Sequence, residues 1–144
     1  MLTGCDIDGF CALLHEVSSG CARKQAEALA AAGLTVAEFH MLAELTSDPQ
    51  PRLEELAMRL RVSRSRLTRV IAGLERKGLA RRKRHTSDKR EVLVTVSPAG
   101  RQRLEQGAAS RATAASALLA CMNPSQREQL HASLVLLSQQ LARE

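Results

Sequence analysis

Between Ser63 and Arg69 the chain sets short hydroxyl side chains among arginines: Ser63, Arg64, Ser65, Arg66, Thr68 and Arg69. Hydroxyls and guanidinium forks are the groups that bond phosphate oxygens and base edges, and an Arg fork matches the two acceptors of guanine. A second basic run, Arg81-Arg82-Lys83-Arg84, follows, and then Asp88-Lys89-Arg90. From Arg52 to Arg90 fourteen Lys/Arg stand against four Asp/Glu, a local charge of about +10. The whole chain carries +6, so everything outside this window sums to about −4. The positive charge belongs to one module, and a sequence pI near 9.8 points to a polyanion, with nucleic acid first.

Other chemistries find less support. The chain offers no Ser/His/Asp or Cys/His arrangement with local backing, no P-loop and no GxGxxG, so no enzyme is expected. The segment Gly73–Gly78 is bounded by glycines but reads as the end of a helix. Cys5, Cys11, Cys21 and Cys121 form no CxxC, and His15, His40, His85 and His131 are scattered without ligand spacing. No metal site and no cofactor are therefore expected. Free thiols suit a reducing cytoplasm. The first ten residues include Asp6 and Asp8 and no basic stretch, and no apolar run approaches a membrane span, so neither a signal peptide nor a membrane partner is expected. With two Phe, no Trp and no Tyr, the stacking platforms of single-strand and RNA binders are missing. Duplex DNA is left as the partner.

The elements that must carry these residues are mainly helical. Leu67, Val70, Ile71 and Leu74 fall at i, i+3, i+4 and i+7, one face of a helix. The opposite side carries Ser65, Thr68, Arg69, Ala72 and Arg76, flanked by Arg64 and Arg66, a face that can enter a major groove. Ser63 caps this helix, and Lys77-Gly78 ends it with a basic turn and a C′ glycine. Before it, Leu53–Leu60 repeats the same apolar spacing, and Arg61-Val62-Ser63 makes a brief turn, which completes a helix-turn-helix. After it, Leu79–Arg84 and Glu91–Val96 read as strands of a hairpin with a polar tip at 85–89, a wing.

The flanks are helical too. Residues 6–31 predict one long helix with an apolar stripe of Ile7, Phe10, Leu14, Val17 and Cys21. Ser18-Ser19-Gly20 allows a kink in it, and Gly33 fits its C′ position. At about 1.5 Å per residue such a helix is about 40 Å long, which favours a role between subunits. Thr35 and Glu38 form a capping box with Leu34 and Phe39 as staple, opening a helix that stops before Ser47-Asp48-Pro49-Gln50-Pro51. Ser97-Pro98 and Asn123-Pro124-Ser125-Gln126 start two further helices. The last carries Leu130, Leu134, Leu137 and Leu141 as a coiled-coil-like seam.

In this order of elements the chain resembles the MarR family of bacterial winged-helix regulators. The resemblance runs from about Cys5 to Leu141 and rests on LTVAEFHMLAEL, VSRSRLTRVIAGLERKGLARR and SDKREVLVTVSPAGR. It implies a mainly α fold with a small β-hairpin wing, and a dimer intertwined through the N- and C-terminal helices. Residues 32–100 would be the winged helix-turn-helix DNA-binding domain, and 1–31 with 101–144 the helical dimerisation region. Asp88-Lys89-Arg90 matches the family's wing motif, whose Arg reaches the minor groove while the Asp helps hold the wing. The implied DNA-binding set is Ser63, Arg64, Ser65, Arg66, Thr68, Arg69, Lys83, Arg84, Asp88, Lys89 and Arg90. The implied function is that of a homodimeric repressor on a pseudo-palindromic operator, released by a small phenolic or aromatic effector. His15 and His40 lie on the two helices that wall a small-molecule pocket in relatives. An alternative makes Cys11 an oxidant-sensing thiol, as in the peroxide-sensing branch, although that branch also uses tyrosines and this chain has none. A third reading is an architectural DNA coater without sequence preference.

Overall fold

The computed structural model describes residues 6–84 and 92–143. Among these are six helices and two strands: α1 (Ile7–Ala30), α2 (Val36–Leu45), α3 (Leu53–Arg59), α4 (Arg64–Arg76), β1 (Ala80–Arg84), β2 (Val92–Val96), α5 (Pro98–Leu119) and α6 (Pro124–Leu141). The chain divides into two compact units, Met1–Arg111 and Ala112–Glu144. The architecture is mainly α with a two-stranded antiparallel wing, as the sequence predicts.

Local signals set most boundaries of the first unit. Asp6 caps α1, which runs unbroken through Ser18-Ser19-Gly20. It closes with Leu34 N–H on Leu29 C=O (3.1 Å) and Gly33 N–H on Ala30 C=O (2.9 Å), the Schellman pair. The capping box of α2 is present in both directions: Glu38 N–H donates to Thr35 Oγ1 (3.2 Å) and Thr35 N–H to Glu38 Oε2 (2.8 Å). Ser63 accepts from Arg66 N–H (3.3 Å) at the start of α4.

The same closure ends α3 and α4. Gly78, at φ +70°, carries it for α4, with Leu79 N–H on Leu74 C=O at 2.9 Å. That use of the Leu79 amide is why β1 begins at Ala80, one residue later than predicted. At the turn of the helix-turn-helix the left-handed position is filled by Arg61, at φ 50°. Val62 N–H reaches Ala57 C=O (3.0 Å) and Arg61 N–H reaches Met58 C=O (3.1 Å) across it. Helix α3 correspondingly ends at Arg59 with Leu60 as its cap, one residue short of the Leu60 end that the apolar spacing predicts.

The core of this unit is mostly aliphatic. Leu29, Met41, Leu42, Leu56, Ile71, Leu74 and Val94 are buried almost completely, joined by Leu34, Phe39, Leu45, Leu67 and Leu79. Helix α4 therefore buries Leu67, Ile71 and Leu74 against α2 and α3 and leaves its other side to solvent. Burial of each such side chain is worth roughly 1.5–3 kcal/mol, which pins α4 on the unit. In the wing the register is Ala80↔Val96 to Arg84↔Val92, and it puts Val94 into the core. The Gln50 side-chain amide donates to Val94 C=O, tying the α2–α3 loop to β2.

Helix α5 starts where Ser97 Oγ accepts from Gly100 N–H (3.0 Å) while donating to Gly78 C=O (2.7 Å). Further along α5, Arg103 donates to Ala32 C=O (3.2 Å) and Arg111 lies over the Phe39 ring, 4.8 Å from its centroid.

In the second unit the Asn123–Gln126 capping box opens α6. Arg127 Nε donates to Leu119 and Met122 C=O, closing the corner from α5. No residue of α6 is buried, and Leu134, Val135, Leu136 and Leu141 are exposed.

Candidate nucleic-acid interface

Packing leaves the outer side of α4 free. Ser63, Arg64, Ser65, Arg66, Thr68, Arg69 and Arg76 are all exposed. Their differences lie in what already occupies them. Arg64 Nη2 meets Glu54 Oε1 of α3 at 3.1 Å, with the two side chains 80% and 68% exposed, so the pair holds weakly and Arg64 can exchange partners at little cost. Thr68 Oγ1 donates to Arg64 C=O (3.0 Å), and the Ser63 and Ser65 hydroxyls stand 3.1 Å apart. Arg66, Arg69 and Arg76 have no ion pair among the described residues.

These three arginines line one open cleft of about 340 Å³ together with Thr35, Glu38, Val70 and Gly73. The cleft lies where the start of α2 meets α4. Arg76 belongs to this group although the sequence-derived site set omits it; its seven-residue spacing from Arg69, two helical turns, is the signal that places both on one side.

Beneath the arginines sits Glu38, the buried charged residue of the core region, 6% exposed. Lys77 Nζ donates to its Oε2 at 2.7 Å and to Gly33 C=O at 3.1 Å. Burial raises the Glu38 carboxyl pKa, but the Lys77 hydrogen bond, the Thr35 backbone bond, the Lys77 charge and the Thr35 side chain outweigh it. Together they hold the group below its ordinary value, ionised. Neither partner of this pair was singled out from the sequence as a site residue.

The wing strand adds cations beside α4. Arg81 and Lys83 are exposed and without ion pairs among the described residues. Arg82 is committed inward: its N–H donates to Glu75 Oε1 (3.1 Å), its Nη1 lies 3.5 Å from Glu75 Oε2, and its Nη2 reaches Thr68 C=O (3.5 Å). Those bonds fix the wing strand on the helix. Arg84 ends β1 opposite Val92. The sequence-predicted contacts Asp88, Lys89 and Arg90 lie outside the described residues.

The remaining candidates stand apart from the cleft. His15 and His40 are exposed on α1 and α2, and neither lines it. The His40 ring is 5.8 Å from that of Phe39, tilted. Cys11, Cys21 and Cys121 are free and exposed, and Cys11 has no hydrogen bond or ion pair among the described residues. Among the described residues no His/Cys/Asp/Glu group could hold a metal ion, and no helix is long and apolar enough to cross a membrane. What the arrangement can do is bind an extended anion, with one helix face and one strand supplying accessible guanidinium and ammonium groups.

Comparison with known proteins agrees. The MarR family model matches residues 34–92. The HTH-type transcriptional repressor YetL of Bacillus subtilis (strain 168) is 37% identical over 76 residues, covering 51% of this chain and 46% of YetL. The match thus spans less than half of that relative's length. The HTH-type transcriptional regulator Mb0904 of Mycobacterium bovis, itself uncharacterised, is 31% identical over 104 residues, 72% of this chain and 73% of the relative. The crystal structure of apo wild-type MarR from E. coli superposes with a TM-score of 0.74 at 26% identity, covering 88% of this chain and 94% of that one.

Proposed function

The chain belongs to the MarR family, and from that premise we propose that it is a DNA-binding transcriptional repressor, not an enzyme, that holds a pseudo-palindromic operator as a homodimer and lets go when a small molecule binds. The observation that carries this reading is the one-sidedness of the charge. Arg66, Arg69 and Arg76 stand on the outer face of α4 without ion pairs among the described residues, with Arg81 and Lys83 beside them on the wing. Other basic groups of the first unit are engaged: Arg59 meets Glu44 at 3.2 Å, Arg103 donates to Ala32 C=O and Arg111 lies over the Phe39 ring. A helix whose inner side is greasy and whose outer side is short and cationic suits a major groove, and a basic hairpin beside it suits the adjacent backbone or minor groove.

Homodimerisation is supported by apolar surface that the single chain leaves bare. On α1, Ile7, Phe10, Leu13, Leu14 and Val17 are each at least 44% exposed. On α6, Leu134, Val135, Leu136 and Leu141 are exposed as well. Stripes of this extent on long helices call for a second surface. Two copies would present two α4 helices to successive major grooves about 34 Å apart, as half-site spacing on B-DNA requires. Repression is the output named for the similar YetL. Release by an effector is then a shift between lobe separations that fit this spacing and ones that do not.

Footprinting of the promoter beside the gene, repeated with a panel of phenolic acids, tests the reading. Protection of two half-sites one helical turn apart, lost with one of the ligands, is expected. Uniform, sequence-blind protection would instead establish an architectural coater.

A further inference from the structure

We propose that Lys77 and Glu38 are positioning residues for DNA recognition: a clip that sets the orientation of α4 without touching the DNA. The proposal rests on the reading of α4 as the recognition helix. It begins from a weakness in how α4 is held. Leu67, Ile71 and Leu74 bind it to its neighbours by apolar contact, which is strong but non-directional, so it holds the helix in place without by itself fixing the angle of its polar face. A directional bond is needed to fix the angle at which the outer arginines are presented.

The clip supplies it at the C-terminal end of the helix. Lys77 is the C-cap of α4, and its ammonium joins three places at once: its own helix end, Gly33 C=O after α1 (3.1 Å), and Glu38 Oε2 at the start of α2 (2.7 Å). Glu38 is itself immobilised, because the same Oε2 accepts from Thr35 N–H at 2.8 Å. At Gly73 a Cβ would stand 3.3 Å from Glu38 Oε1, so the absence of a side chain there lets the helix come close to the carboxylate. Glu38 and Gly73 line the same cleft as Arg66, Arg69 and Arg76, so a change in the clip is felt where those arginines emerge.

The test separates positioning from charge, and Glu38 makes that possible. Removing a negative charge from beneath three arginines should, by electrostatics alone, tighten binding to any duplex. A positioning role demands the opposite for the specific site. Glu38→Gln keeps an acceptor for the Thr35 cap, and Gln is the other residue a capping box takes, so the fold is retained. Lys77→Met removes the other half, and Lys77→Arg restores a cation able to reach both acceptors. Each variant is titrated against the footprinted operator and against a random duplex of equal length over a range of salt, with helix content followed by circular dichroism.

The expected result is that Glu38→Gln and Lys77→Met each weaken operator binding about tenfold, the scale of a single base contact. Random-duplex affinity should stay within about twofold, with an unchanged salt slope and recovery in Lys77→Arg. Three results would overturn the proposal. One is tighter or unaltered operator binding by Glu38→Gln. Another is an equal weakening on both duplexes in Lys77→Met with the salt slope reduced by about 0.9 for each subunit, which makes Lys77 a phosphate contact. The third is a lowered melting temperature with both affinities intact, which makes the clip purely structural. A wild-type chain without preference for operator over random DNA would refute the repressor reading itself, and this proposal with it.

Discussion

Replacing Arg69 by Ala is the perturbation whose size follows most directly from the structure. Arg69 is exposed on the outer side of α4 and makes no ion pair among the described residues, so its removal leaves no buried partner behind. Folding stability should change by less than about 0.5 kcal/mol, the usual effect at an exposed site without special contacts. Its contribution to a bound duplex is another matter. A bidentate Arg–guanine contact is worth ~1–3 kcal/mol of discrimination. A homodimer on a palindrome carries the substitution twice, so the loss doubles to ~2–6 kcal/mol, or from about thirtyfold to about twenty-thousandfold in operator affinity. Dimers with one wild-type and one altered subunit should fall midway on a logarithmic scale, because the two half-sites contribute alike. Fluorescence anisotropy with labelled operator and random duplexes, at several salt concentrations, reads all of these quantities. If Arg69 instead holds a phosphate, both duplexes weaken together and the salt slope drops by about 0.9 for each phosphate no longer neutralised. Binding within twofold of wild type on both duplexes, by a variant that is folded and dimeric, would refute the placement of α4 against DNA.

Further consequences follow from the turn, the clip and the thiol. Arg61 holds a left-handed backbone at φ 50°, which costs a non-glycine residue ~1–2 kcal/mol, of which glycine's extra chain entropy takes back about half. Arg61→Gly should therefore stabilise the protein by roughly 0.5–1 kcal/mol in urea unfolding, and destabilisation would contradict the strain argument. Glu38 has a folded-state pKa held below its ordinary value, so the stability it lends is full above the unfolded-state pKa and is lost as pH falls through the lower folded-state value. Acid unfolding of Glu38→Gln should accordingly show a shallower loss of stability below about pH 4.5 than wild type; superimposable acid limbs would show that the pair contributes nothing. Cys11 is exposed and has no hydrogen bond or ion pair among the described residues, so hydroperoxide should shift DNA binding no more in wild type than in Cys11→Ser. A gel shift responding only in wild type would move the regulatory reading to thiol chemistry.

What could be read from the residues alone was what local chemistry decides. The Thr35–Glu38 box, the Ser63 cap and the Asn123–Gln126 box each involve groups three residues apart, and all are present. The buried side of α4 follows from 3.6-residue spacing: the structure buries Leu67, Ile71 and Leu74, and leaves Val70, the fourth residue of that spacing, half-buried at the edge of the cleft. Illegible were contacts made by the fold. Lys77 and Glu38 are 39 positions apart, and nothing local marks either as the other's partner. Arg64 and Arg66 look alike in the sequence, yet Glu54 of the preceding helix engages one and not the other. Arg82 and Lys83 are adjacent, but strand alternation and Glu75 turn the first back onto α4. The left-handed turn at Arg61 has no glycine to announce it in the sequence; closing α3 onto α4 imposes it. At the wing tip, Asp88, Lys89 and Arg90 rest on the family resemblance, because they fall outside the described residues.

Sedimentation of the purified chain with its own promoter fragment tests the central claim most directly. Two chains per duplex are expected, formed from a dimer that persists without DNA. A chain that sediments as a monomer, or that ignores every duplex at low ionic strength, would contradict it.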